Sequence, residues 1–297
     1  MKVKLNLFAM LIIVLFTSSC SDEKITSSGN SKSQNGLIVY LTNPLDSLGI
    51  IHNDILDKFV IYLEDSYLDD DFDGVIFPSN GFKTNVANSL NKACDSTPYF
   101  TTSSVQIHKD LQDSLNINNW FSSINYSSMF DDVEDVLKNN ATTKDSIFTI
   151  NLINDIKDLI INGTSNDIFI ELESIIYLNE SLILAEGWDS TEVFALSAVA
   201  VAKHSTQFWK SFFSTHSAKY AKENMVQYSQ GEKALIVGAD AAGAIVGSIK
   251  GAIAGSALSP GAGTIGGYFA GKVAGAFVGS GAAMTYIGVK NFWLDLF

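Results

Sequence analysis

Glycine recurs at every fourth position in two rows near the C-terminus, and no other feature restricts the fold as tightly. Gly243, Gly247, Gly251 and Gly255 form the first row, with Ala239 in register before it. Gly263, Gly267, Gly271, Gly275 and Gly279 form the second, and Ser259-Pro260-Gly261 between them is a turn signal. A period of four lays each row along one ridge of an α-helix. Glycine strips that ridge of side chains, so two helices can approach until their backbones touch. The stretch from Ala234 to Lys290 therefore reads as a helical hairpin with matched glycine faces.

Such a hairpin is unfavourable on its own in water. A glycine inside a helix costs about 1 kcal/mol relative to Ala, so the nine cost roughly 9 kcal/mol before any packing. For a bilayer setting, Leu235, Ile236, Val237, Ile245, Val246, Ile249, Ile253 and Leu258 favour insertion of the first helix by roughly 2.4–4.8 kcal/mol in all. Lys250 and Lys272 flank Pro260 at ten and twelve residues, which sets both about 15–18 Å from the turn, near a bilayer's midplane. A lysine there costs about 2.5–3.5 kcal/mol. The terms nearly cancel. Conditional insertion, or an assembly in which Lys250 and Lys272 face a wet lumen, fits this balance. A zipper buried in a soluble helical domain fits it too.

Charge divides the chain. Residues 1–19 carry +2, residues 20–200 hold 9 Lys against 28 acids, and residues 201–297 hold 8 Lys against 4 acids. An acidic body thus precedes a mildly basic, apolar tail, which suits an anionic membrane surface or the body itself. The net charge of −13 and the complete lack of Arg exclude nucleic acid as a natural partner. With 46% hydrophobic and 17% charged residues, the chain has enough apolar surface for a large core.

The N-terminus carries a processing signal. Lys2 and Lys4 precede the apolar run Leu5–Phe16, then Thr17, Ser18, Ser19 and Cys20. Twelve residues, all apolar but Asn6, are too few to span a bilayer, so the segment reads as a signal peptide. Small residues ending on Cys resemble the lipobox of bacterial lipoproteins, although Thr17 stands where that motif carries Leu. The resemblance implies cleavage after Ser19 and acylation of Cys20, with palmitate among the chains. Ser21-Asp22-Glu23-Lys24 resembles the surface-export signal of Bacteroidetes-type lipoproteins, which implies outer-membrane attachment and surface exposure. Cys94 is the one other cysteine, so no internal disulfide can form once Cys20 is acylated. Cys94 reads as a small buried hydrophobe.

The expected fold is mainly α: a multi-helix body followed by the glycine-zipper hairpin. Its segments are 1–19 signal peptide, 20–36 lipidated Cys and flexible linker, 37–230 acidic helical body and 231–297 hairpin. Within the body, Ile55, Leu56, Phe59, Val60 and Leu63 share one helix face. Ser128 is placed to cap a short helix carrying Val133 and Val136. Helices are expected over Asp145–Ile161, ending at a left-handed Gly163, and over Ser165–Glu186, ending at Gly187. Asp189-Ser190-Thr191-Glu192 has capping-box spacing and opens a helix to about Phe213. Leu37–Leu41 is the best strand candidate.

Motifs for chemistry are weak. Asp69, Asp71, Asp73 and Gly74 match the start of a calcium loop, but the twelfth position is Asn80, without the bidentate Glu. Gly261, Gly263 and Gly266 match a dinucleotide fingerprint only formally, since no strand precedes them. His52, His108, His204 and His216 lack metal-ligand spacing. His52 beside Asn53 and Asp54 is the best catalytic candidate, with capping or packing the plainer role. His204 lies with Phe208 and Trp209 on an apolar helix and reads as core. Asp46-Ser47-Leu48, Asp113-Ser114-Leu115 and Asp145-Ser146-Ile147 resemble the O-glycosylation triplet of Bacteroidetes-type exported proteins. No catalytic residue, metal or cofactor is expected.

Two further resemblances bear on function. The zipper is similar to membrane-active segments of two-peptide bacteriocins and to zipper-containing envelope lipoproteins, which implies insertion or self-association. Asn43-Pro44 with Gly49 and His52-Asn53, and later Ala202-Lys203-His204-Ser205 with Trp209, resemble two blocks of uncharacterised Bacteroidetes-type lipoproteins. The expectation is a non-enzymatic outer-membrane lipoprotein. Its partners would be membrane lipid through Cys20 and further copies through the zipper, with a toxin-like pore as the sharp version. The alternative is a scaffold or binding lipoprotein with the zipper buried in its own core.

Overall fold

Helix starts in this chain are set by side-chain oxygens that take up otherwise unpaired N–H groups. The computed structural model describes residues 32–34, 37–39, 42–68, 88–89, 92–93, 96, 126–163, 165–186, 193–222, 228–258, 271–272, 275–276, 279–280 and 283. Among these are six helices: α1 (Asp46–Leu68), α2 (Tyr126–Asn140), α3 (Thr143–Asn162), α4 (Ile168–Ala185), α5 (Phe194–Lys222) and α6 (Gln230–Leu258). Before α1, Asn43 accepts the N–H of Leu45 at 2.9 Å, a local turn that Pro44 pre-sets. Thr142 caps α3 by accepting from the N–H of Asp145, and Asp167 caps α4 through Phe169. Ser229 and Glu232 form a reciprocal capping box at α6. The Ser229 N–H donates to Glu232 at 2.7 Å, and the Glu232 N–H donates to Ser229 at 3.3 Å.

The described residues are mainly α, as expected, and several helix ends differ from the sequence reading. Ser128 lies inside the first turn of α2 rather than capping it, because that helix begins at Tyr126. Gly163 closes α3 in an extended conformation, φ −62° and ψ 116°, not a left-handed one. What requires glycine there is space, since a Cβ would overlap the Leu159 carbonyl. α5 runs past Phe213 to Lys222; within that stretch the Ser214 and Thr215 hydroxyls donate back to the Ser211 carbonyl. Leu37–Val39 (β2) is indeed a strand, paired antiparallel with Lys32–Gln34 (β1), Lys32 opposite Val39. β1 falls inside the segment read as linker. Asp189–Glu192, Cys94, Cys20, the Asp69–Asn80 loop and Pro260 lie outside the described residues.

The six helices share one core. Ile55, Leu56 and Phe59 of α1, Leu152 and Ile156 of α3, Leu172 of α4 and Trp209 of α5 are all inaccessible to solvent. α6 packs against α2, α3, α4 and α5, while α1 lies along α5. Every residue from Ala234 to Ser248 is buried, so α6 is the central helix. Gln230 at its start also ties down α4, accepting the Ile168 N–H at 3.3 Å and donating to the Asn166 carbonyl at 3.0 Å.

Candidate functional site

The glycine rows meet. A Cβ on Gly243 would overlap the carbonyl of Gly275, one on Gly247 that of Gly271, and one on Gly279 that of Ala239. Residue numbers fall on one side as they rise on the other, so α6 and the helical residues 271–272, 275–276 and 279–280 run antiparallel. Backbone touches backbone along this seam, as the period of four requires. Gly251 and Gly255 continue along α6; Gly263 and Gly267 lie outside the described residues.

Lys272, expected from its position to face a lumen if the hairpin inserts, is fully buried. Its Nζ donates to the Val193 carbonyl at 3.2 Å and to Ser197 Oγ at 2.7 Å, with the Phe194 ring 5.8 Å away. Burial pushes its pKa down to about 7, against the pull of Asp145. The buried carboxylate of Asp145 accepts the N–H groups of Phe194 (2.9 Å) and Ala195 (2.7 Å) at the start of α5. An anion from α3 thus caps α5 where the helix dipole favours it. The amine from the second glycine row closes the same junction. The side chain of Lys250 lies outside the described residues.

The two sequence blocks singled out for their resemblance pack against one another. Asn43 donates to the Leu196 carbonyl at 2.7 Å and Asn53 to the His204 carbonyl at 2.8 Å. Between these bonds a Cβ on Gly49 would overlap His204 and the Ala200 carbonyl. Asp46 meets Lys203 Nζ at 2.5 Å and His204 Nε2 at 3.2 Å, and Lys203 also reaches Glu180 at 2.7 Å. Burial alone would raise Asp46; the bonds from His204 and Lys203 overcome it and hold the carboxyl near 2. These polar residues therefore fasten α1 to α5.

Beneath that contact lies a buried cluster around Asp240 of α6. Its Oδ2 accepts from Ser205 at 2.6 Å and Trp209 Nε1 at 3.2 Å, and its Oδ1 accepts from Ser280. His52 Nε2 faces the same Oδ2 at 3.5 Å. Burial raises Asp240 to about 7, opposed by the three donors, and lowers His52 to about 4. Ser, His and Asp recur here in composition only. In a nucleophile relay the imidazole stands between hydroxyl and carboxylate, whereas here Ser205 bonds Asp240 directly and all three are fully buried. The cluster joins α1, α5, α6 and the second glycine row.

Two surface grooves are shallow. One of about 370 Å³ between α2 and α6 is lined by Asp132, Asp135, Asn139 and Asn140. One of about 230 Å³ between α1 and α5 is lined by Val60, Ile61, Phe208 and Phe212. Among the described residues no group of His, Cys, Asp and Glu could hold a metal ion, and no helix is long and apolar enough to cross a membrane. Neither Asp240 nor the role of Asp145 emerges from the sequence reading. A carboxylate alone in an Ala/Gly helix is the available signal for Asp240, because a buried charge demands partners. The geometry defines a mainly α bundle built around a glycine seam. Compared with family models, with curated proteins and with solved structures, the chain matches none.

Proposed function

We propose that the chain is a non-enzymatic outer-membrane lipoprotein, tethered through an acylated Cys20, in which a C-terminal glycine-zipper hairpin forms the core of an acidic helical scaffold. The observation that carries this reading is the unbroken burial of α6 from Ala234 to Ser248 together with its glycine contacts to Gly271, Gly275 and Gly279. The backbone packing gained along that seam offsets the helix cost of about 1 kcal/mol that each of its glycines carries. The basic tail inside the acidic body matches the charge division of the sequence.

Insertion or self-association of the hairpin, in toxin-like fashion, is the second reading. It is favoured by the burial of the ionisable groups Asp240, His52 and Lys272 at the seam, which is costly in a permanent core. Dye leakage from anionic liposomes tests the two. The Cys20→Ser mature chain is used with and without residues 231–297, alongside sizing and circular dichroism. The scaffold reading expects a monomer, no leakage, and loss of cooperative unfolding on truncation. Tail-dependent leakage or assembly overturns it in favour of the second reading. Fractionation of cells tests the anchor separately, with wild type in the membrane and Cys20→Ser released.

A further inference from the structure

The orientation of Asn53 fixes the tautomer of His52. Asn53 Nδ2 is committed to the His204 carbonyl at 2.8 Å, so its Oδ1 is the atom facing His52 Nδ1 at 3.2 Å and can only accept. His52 Nδ1 therefore carries a hydrogen. Its Nε2 points at Asp240 Oδ2, an oxygen already accepting from Ser205 and Trp209. Both sides of that 3.5 Å contact are fully buried. With no proton between them, a nitrogen lone pair opposes a carboxylate out of reach of water. With one, the contact is attractive wherever the proton resides.

We propose that His52 and Asp240 hold a single proton between Nε2 and Oδ2, clamping α1 to the central helix α6 and making this part of the core indifferent to pH across the mildly acidic range. Either partner alone would make the core pH-sensitive, and in opposite directions. The other groups facing the pair from each packed element are Asn53 on α1, Ser205, Trp209 and His204 on α5, and Ser280 on the second glycine row. Asp46 and Lys203 lie beyond His204. On α6 itself, Glu232 lies two turns before Asp240 and bonds Ser229.

Compensation follows from linkage. In the fold the pair passes from two protons to one near pH 4 and from one to none near pH 7. Unfolded, Asp and His make the same steps close to pH 3.9 and about 6.5. Proton counts nearly match, so the pair adds little slope to stability. Asp240 alone, with a raised folded value, contributes stability present below the unfolded carboxylate range and lost as pH rises toward 7. His52 alone, with a lowered value, contributes stability present above about pH 6.5 and lost as pH falls toward 4. In the envelope location proposed above the surrounding pH is set from outside the cell, but the clamp does not depend on that address.

Thermal unfolding of wild type, His52→Gln, Asp240→Asn and the double variant between pH 4.5 and 7 tests this. Relative to wild type, Tm of His52→Gln should drop by several degrees as pH rises, and that of Asp240→Asn as pH falls. The double variant should run parallel to wild type. Slopes of one sign, or a double variant whose slope departs from that of wild type, would overturn the pair. Should the variants not fold, nitrogen-15 spectra of the wild-type histidines decide. The expected result is a His52 with protonated Nδ1 that does not titrate between pH 5 and 6.5. A His52 that titrates near 6.5, or whose Nδ1 carries no hydrogen, overturns the proposal.

Discussion

α4 and α6 are both apolar around most of their circumference, yet they occupy opposite places. α6 is buried on every side from Ala234 to Ser248 and touches four other helices. α4 packs its inner face through Leu172, Ile176 and Ile183 and leaves Ile170, Tyr177, Leu178 and Leu182 half exposed or more. Apolarity alone does not decide which becomes central. Size does: α6 carries Gly and Ala at most contact positions, so neighbours can crowd it, whereas α4 carries Ile, Leu and Tyr. A central helix that thin has few side chains with which to fix its register. Asp240 supplies that register through its hydrogen bonds to Ser205, Trp209 and Ser280.

The comparison sharpens with substitution. Trp209 fills the space between α5 and the centre, edge-on to Phe208 and Phe212 and tilted against Phe213, and its indole N–H reaches Asp240. Trp209→Ala should cost about 3–5 kcal/mol in urea unfolding, the largest single loss expected. Asp145→Ala comes next at about 2–4 kcal/mol, because it orphans two N–H groups at the start of α5. A loss under about 1 kcal/mol would mean that the junction with Lys272 contributes little.

Lys272 sets a pH dependence at that junction. Its folded value near 7 lies below the ordinary lysine range, so its contribution is complete above that range and is lost as pH falls toward 7. Wild-type stability should therefore rise from pH 7 to 9, by at most about 1.4 kcal/mol per unit. Lys272→Met should flatten that rise and be no less stable at pH 7, since an apolar chain of similar length needs no desolvation. Chemical denaturation at fixed pH steps measures both.

The seam itself is tested by Gly275→Ala against Gly238→Ala, both on helical backbone within the core. At Gly275 the added methyl meets the Gly243 carbonyl and cannot displace it. Set against a helix gain of about 1 kcal/mol, overpacking of about 1–3 kcal/mol should leave a net loss of up to about 2 kcal/mol. At Gly238 the methyl lies 3.0 Å from Ile156 Cγ2 and 3.1 Å from Phe130 Cζ, both ends of side chains that can shift, so the net change should be close to zero. Equal losses at the two sites would argue against a backbone-to-backbone seam.

Local features of the fold are legible in the sequence and long-range ones are not. The glycine rows can be read from their period, and the structure brings Gly243, Gly247, Gly271, Gly275 and Gly279 together. The Ser229-x-x-Glu232 capping box is equally local, although the glycine rows that follow it dominate the pattern. Asp145 reads in the sequence as part of a triplet resembling an O-glycosylation site, because its partners stand 49 and 50 residues away and nothing near it announces them. His52 and His204 carry no sequence sign of acting together. Only the contact of α1 with α5 makes them parts of one fastening, with Asp46 and Asn53 as the links. Asp240 is hidden by its surroundings: one acid among Ala and Gly barely alters an apolar pattern, although in the core it requires four neighbours.

The smallest effect belongs to the outer face of α4. Leu178 and Leu182 project there beside Ser174 and Ser181, and the inward Ile176 and Ile183 carry the packing. Leu178→Ser and Leu182→Ser should each change stability by no more than about 0.5 kcal/mol. Ile176→Ala and Ile183→Ala, one or two residues away, should each cost about 2–5 kcal/mol. The contrast within a single helix separates burial from composition, since all four residues are large aliphatics. A loss at Leu178 comparable to that at Ile176, and dependent on protein concentration, would mean that another copy covers this face. The central position of α6 would then not be the only fate of an apolar helix in this protein.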